Sequence, residues 1–223
     1  MTRILPPEAI TEYGRKAKRG DLPCMVTVCP RCAAPVGAGG FRRHGVRRRL
    51  FLMVVATLVE EVASYLVRWK CPVCGGTFTQ YPWWAMPFKR YVLPFIEERC
   101  AGYVEDTAPT YAVGVKEQGA PFSHADADGG EELAPSTLWH WITTLGQRPE
   151  PVRAALDLIK QKDPSTGVFR ALGALQIRVG KYRSPSRKKL LRQCRERVLV
   201  ARRYRAVFGV ETFPASATGC GFR

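Results

Sequence analysis

The alternation of apolar and polar positions predicts a helix over Pro7–Lys18, a short strand over Cys24–Val28, and then a long stretch of sheet. Arg47–Leu58 is rich in Phe, Leu, Val and Met with few polar interruptions. Val62–Lys70 alternates, with Ala63, Tyr65, Val67 and Trp69 on one side and Ser64, Arg68 and Lys70 among those on the other, as a half-buried strand does. The two segments pair as a hairpin through a turn near Glu60–Glu61. A helix over Leu50–Tyr65 competes with that reading, because the apolar run has no clean period.

Farther on the period becomes helical. Pro94 opens a helix reaching Glu105, and Pro109–Glu117 reads as a shorter one. In the next, Leu138, Trp141, Ile142 and Leu145 fall at i, i+3, i+4 and i+7, with Ser136 as cap and Gly146 as stop. Its opposite side carries Thr137, His140, Thr143, Thr144 and Gln147, short polar groups suited to base edges in a major groove. Glu150–Gln161 and Val168–Val179 are also helical in pattern, and a long helix runs from Pro185, capped by Ser184, to Phe208 before Gly209. Along it Leu190, Leu191, Cys194, Val198, Ala201, Tyr204 and Phe208 form one stripe. Arg187, Lys188, Lys189, Arg192, Arg195, Arg202 and Arg203 occupy the other face, a row of cations suited to phosphates.

These elements make an α+β protein, sorted into three regions: 1–82 (helix and hairpin), 83–147 (three helices ending in a helix-turn-helix) and 148–223 (basic and helical). The chain has 223 residues and is 46% hydrophobic, enough for a real core in one large or two small domains. Its longest apolar run, Leu50–Val59, is too short to cross a bilayer, which takes about twenty residues. Nor does the start, MTRILPPE, have the apolar core of a signal peptide, so a cytoplasmic, nucleoid-associated location is expected.

Charge changes the picture. Thirty-five Lys and Arg against 19 Asp and Glu give a formal net charge of +16, which suits a polyanionic partner, most simply double-stranded DNA. The cations cluster at Arg42–Arg49 and at Lys181–Arg205, whereas Asp126–Glu132 is an acidic, Gly-rich loop without the Glu that a calcium loop needs at its twelfth position.

The sharpest chemistry lies in two knuckles, Cys29-Pro-Arg-Cys32 and Cys71-Pro-Val-Cys74. Two cysteines separated by two residues on a tight turn can place both thiolates about 2.3 Å from one metal, and two such turns complete a tetrahedron. Pro30 and Pro72 share the second position, and Gly75 and Gly76 follow the second knuckle. Structural Zn²⁺ is therefore expected on Cys29, Cys32, Cys71 and Cys74, in preference to disulfides or four buried thiols. The remaining cysteines, Cys24, Cys100, Cys194 and Cys220, lack ligand spacing, and His44, His124 and His140 stand in unrelated contexts.

The order CPRC, FRRHGVRRR, YLVRWKCPVCGGTF, PWWAMPFKRYVLPFIEE and PSTLWHWITTLG, over about residues 24–147, resembles the zinc-ribbon and helix-turn-helix region of bacterial insertion-sequence transposases and related small zinc-ribbon proteins. The resemblance implies the four ligands above and a DNA-reading helix at Thr137–Gln147, where relatives commonly carry a basic residue in place of His140. The three-carboxylate core that transposase chemistry uses is not discernible in the residues after Gln147. The expectation is a non-catalytic zinc-dependent DNA-binding protein, transposase-related or transcription-regulating. Its DNA contacts would come from Thr137, His140, Thr143, Gln147, Arg187, Lys188, Lys189, Arg192 and Arg195. The alternative is a zinc-stabilised subunit of a nucleoprotein assembly that recruits a protein partner or a second copy and holds RNA or DNA loosely, with the aromatic stretch Thr77–Trp84 as interface.

Overall fold

A computed structural model describes residues 5–37, 40–55, 57–105, 107–124, 132–177 and 184–209. It is a mixed α+β structure in two compact units. The first comprises the described residues up to Met53 together with Val59–Pro94, and the second Val54–Leu58 together with the described residues from Phe95 onward. The three-region division does not reappear: 83–94 stays with the hairpin, and the helices on either side of Gln147 pack in one unit.

In the first unit a helix, α1 (Pro7–Arg19), precedes two long strands, β1 (Arg42–Val55) and β2 (Leu58–Lys70), and a short β3 (Thr77–Thr79), in the order β1-β2-β3. The hairpin is present, but β1 ends at Val55 and β2 begins at Leu58, so Glu60 and Glu61 are strand residues and not its turn. Adjacent carboxylates do not themselves make a turn. Here both are exposed between buried Val59 and Val62, and Glu61 pairs with Arg90. β1 also begins at Arg42, five residues before the expected start.

The strand expected at Cys24–Val28 is absent; only Val28 bridges, to Pro35. A side chain takes the place of a strand partner. Gln80 accepts from the Met25 N–H at 2.9 Å and donates to the Pro23 carbonyl at 3.1 Å.

Helix α1 buries Ile10, Gly14 and Ala17, and Ser64 donates to the Ile10 carbonyl at 2.8 Å. The approach is close enough that a Cβ on Gly14 would lie 2.8 Å from Ser64 Oγ and 3.0 Å from the Tyr65 nitrogen. Gly14→Ala is therefore expected to be net destabilising: overpacking costs about 1–3 kcal/mol, against a helix-propensity gain of at most about 1 kcal/mol. Urea unfolding checks this, and a variant as stable as the wild type would contradict the close packing. Trp84 belongs to the same core, edge-on to Tyr13 and Phe51 with centroids 5.7 and 4.7 Å away. That part of the aromatic stretch is interior packing and not an interface.

The second unit contains α2 (Leu93–Val104, from Phe95 on), α3 (Tyr111–Gly114), the small strands β4 (Lys116–Glu117), β5 (Ala120–Pro121) and β6 (Ser123–His124), then α4 (Pro135–Gly146), α5 (Glu150–Lys162), α6 (Val168–Gly173) and α7 (Pro185–Phe208). α7 packs against α4, α5 and α6. Its bounds match the expected helix, although Ser184 makes no side-chain cap. Likewise α4 opens on Pro135 after Ala134, so Ser136 lies inside the helix and is not its cap.

Two expectations change. α3 is a single turn, and residues 115–134, including the β4–β5 hairpin, separate it from α4. A helix-turn-helix joins its helices by about three to four residues, so α4 is presented differently here. The helix expected to reach Val179 stops at Gly173, while 178–179, Cys220 and the acidic residues 126–131 lie outside the described residues.

Candidate metal centre and cationic surfaces

The two knuckles have the same backbone. Cys29 N–H donates to Ala34 O at 2.7 Å, and Cys71 N–H to Gly76 O at 2.9 Å. In return Ala33 N–H reaches Cys29 O at 2.9 Å and Gly75 N–H reaches Cys71 O at 3.0 Å. The fourth residue after the first cysteine is left-handed in both, at φ +67° in Gly75 and +56° in Ala33. The turn demands that conformation even where the residue is not glycine. Only the glycine half of this repeat is visible in the sequence.

The repeat brings four thiols together. Cys29 and Cys74 sulfurs are 3.9 Å apart, as are those of Cys32 and Cys71, and all four lie within 4.8 Å of one another. A tetrahedron with bonds of about 2.3 Å has edges of about 3.8 Å, whereas a disulfide requires about 2.05 Å. These side chains can thus hold one metal ion between them.

In each knuckle the first cysteine is buried and the second exposed. Cys29 and Cys71 sit in a core with Ala17, Phe41, Val67, Trp69 and Phe78. Arg31 lies across the opposite knuckle, where its Cδ would be 2.7 Å from a Cβ on Gly76. Burial disfavours charge on Cys29, but the N–H groups of Cys32 and Arg31 and the neighbouring thiols more than offset it and bring its pKa to about 7. At Cys32 the Ala34 N–H favours the thiolate, yet desolvation and the other three thiols push the pKa up to about 12. Backbone donors aimed at sulfur are what a metal thiolate needs.

Cys24 stands apart from this cluster, half-buried on the fringe of the same core, with its thiol 3.7 Å from Val26 O. Cys100 and Cys194 are fully buried in the second unit, where burial pushes the Cys100 thiol well up.

No family model, curated protein or solved structure matches this chain.

The residues expected to contact DNA fall into two groups. Arg187 is 7% exposed, and its guanidinium donates to Thr143 Oγ1 at 2.6 Å, Tyr111 OH at 2.7 Å and Trp139 O at 3.3 Å while stacking on Trp139. Thr143 in turn donates to Trp139 O at 2.8 Å. Both are committed to holding α4 on α7, which corrects the expectation that they face a groove or a phosphate. Gly146 allows the same packing, since a Cβ there would lie 2.5 Å from Leu190 O.

Arg195 donates to the Gln176 carbonyl, and Arg192 pairs with Glu196 at 3.1 Å on an exposed surface. The expected cationic face of α7 is occupied elsewhere too. Arg202 pairs with Glu105 at 2.6 Å and Arg203 with Asp163 at 2.6 Å; outside the expected face, Arg197 and Arg205 both reach Glu97, at 3.0 and 2.8 Å. A cationic stripe in sequence is here largely an internal ion-pair network, because α7 is the helix around which its unit packs. His140, Gln147 and Lys189 are exposed, and Thr137 and Lys188 half-buried.

Proposed function

We propose that this protein is a zinc-stabilised, non-catalytic DNA-binding protein of the transposase-related or transcription-regulating kind. The observation that carries the reading is the four-thiol cluster in a chain of net charge +16. An all-cysteine set suits Zn²⁺ in a structural role, with no ligand position left for a substrate. The cation excess favours a polyanion by counterion release. It is concentrated in the first unit, where residues 5–94 contain fourteen Lys and Arg against five Asp and Glu. On this reading exposed His140 and Gln147, with Thr137, are the base-reading candidates, and Lys188 and Lys189 add charge beside them. Among the described residues no helix is long and apolar enough to cross a membrane.

Selection from a randomised duplex pool tests the reading. The zinc-loaded protein is expected to enrich a defined motif, and His140→Ala to relax it by about 1–3 kcal/mol of discrimination at one position while leaving non-specific affinity in place. An unchanged motif would remove α4 as the reader, and failure of the wild type to bind duplex DNA would remove the function.

A second reading, the assembly subunit, is favoured by exposed apolar side chains in the first unit: Met25 at 73%, Val73 at 71% and Phe88 at 62%. It predicts a protein partner on that surface and no enriched motif.

A further inference from the structure

We infer that the amino-terminal half of β1 is a phosphate-binding strip, formed by the exposed side chains of Arg42, Arg47 and Arg48 with His44 between them, and that its partner is the backbone of duplex DNA. This rests on the DNA-binding reading above and relocates its electrostatic surface from α7 to the hairpin.

No Asp or Glu occurs between Asp21 and Glu60, so the strip lies in a stretch whose only charged residues are arginines. All four side chains of the strip are exposed, in contrast to the α7 arginines engaged with Glu97, Glu105 and Asp163. The strand is also held firmly. Arg43, within the strip, donates to Ala17 O at 2.6 Å, and Arg49, at its end, to Lys89 O at 2.6 Å and Tyr81 OH at 3.3 Å, so these two arginines tie the strand to the rest of its unit while the side chains of Arg42, His44, Arg47 and Arg48 are exposed.

β1 is the edge of its sheet. Tyr91 bridges it at Leu52, where Leu52 N–H donates to Arg90 O, but among the described residues no strand pairs with its outer rim from Arg42 to Arg48. Gly45, at φ +155° in mid-strand, has nothing within 4 Å of where a Cβ would be, which leaves open space at the centre of the strip. Glycine inside a strand is often the point at which another backbone approaches.

The dimensions fit a duplex. At about 3.3 Å per residue, Arg42 to Arg48 spans roughly 20 Å, the axial length of about six base pairs. A β-ribbon carrying arginines can follow a phosphate row over that distance, and such contacts position a protein without reading sequence.

The experiment measures affinity of the full-length zinc-loaded protein for a random-sequence duplex as a function of salt. Each phosphate contact contributes about 0.9 to the slope of log affinity against log salt, so the R42A/R47A/R48A variant is expected to lose about 2.7. Between 50 and 200 mM salt its affinity then falls about 40-fold less than that of the wild type. A control with the same charge loss, R153A/K160A/K162A on exposed α5 positions, is expected to keep the wild-type slope.

Zinc content and the melting curve verify folding. If the triple variant does not fold, each single replacement is expected to lower the slope by about 0.9. A wild-type slope in the β1 variants, or an equal loss in the α5 control, overturns the strip while leaving DNA binding intact. Absence of any duplex binding by the wild type overturns both.

Discussion

Cys71→Ser is expected to abolish zinc binding and unfold the unit built around the hairpin. The Cys71 sulfur forms one edge of the cluster with Cys32, 3.9 Å away, and its backbone closes the second knuckle through Gly75 and Gly76. Serine keeps the backbone but replaces a thiolate with a hydroxyl that Zn²⁺ binds poorly. Structural zinc contributes an apparent 10–16 kcal/mol at neutral pH, as much as or more than the 5–15 kcal/mol that keeps a typical domain folded. Cys71 and Cys29 also lie inside the core with Phe41, Trp69 and Phe78, so losing the metal opens the apolar packing around it. Metal analysis should find about one zinc per wild-type chain and none in the variant, with loss of hairpin signal by circular dichroism. Cys24→Ser should retain both. A Cys71→Ser protein with full zinc content or an unchanged melting curve rules out the four-thiol site.

The second large effect is expected at Glu97. Its carboxylate, in a side chain only 13% exposed, accepts from Arg197 at 3.0 Å and Arg205 at 2.8 Å, and the Arg197 side chain is 6% exposed. Removing the carboxylate takes a close counter-charge from a buried guanidinium, and breaking a buried pair from one side typically costs about 3–5 kcal/mol. Glu97→Ala should therefore shift the urea midpoint substantially. Arg202→Ala breaks a pair with a shorter contact, 2.6 Å to Glu105, but that arginine is 59% exposed and its loss should cost no more than about 1 kcal/mol. Equal effects of the two changes would mean that burial does not set the strength of this network.

Much of the architecture could be read from the chain, and the failures have identifiable causes. The ends of α7 were legible because Pro185 and Gly209 punctuate a helical stripe. The four-thiol cluster was legible because its chemistry is written in four residues at fixed spacing. The role of the α7 arginines was not. A charged helical face looks the same in sequence whether it meets solvent or carboxylates, and the deciding residues, Glu97, Glu105 and Asp163, are 40 to 108 positions away. The missing strand at Cys24–Val28 has a similar origin, since a distant Gln80 satisfies the backbone there. Within α4, periodicity found the buried side but could not tell that Thr143 faces Arg187.

The length of the hairpin fixes the order in which the four-thiol cluster is assembled. Cys32 and Cys71 are 39 positions apart, and their sulfurs meet only once β1 and β2 have paired. A newly made chain presents the first knuckle alone, a two-thiolate chelator. Pairing of strands this long takes microseconds or more and bears a loop-closure entropy that grows slowly with loop length. On the proposed zinc reading, tight retention of the ion begins only after the hairpin zips, so the rate of zinc uptake by refolding protein is expected to report strand pairing, and a zinc-sensitive dye competing for the ion can follow it.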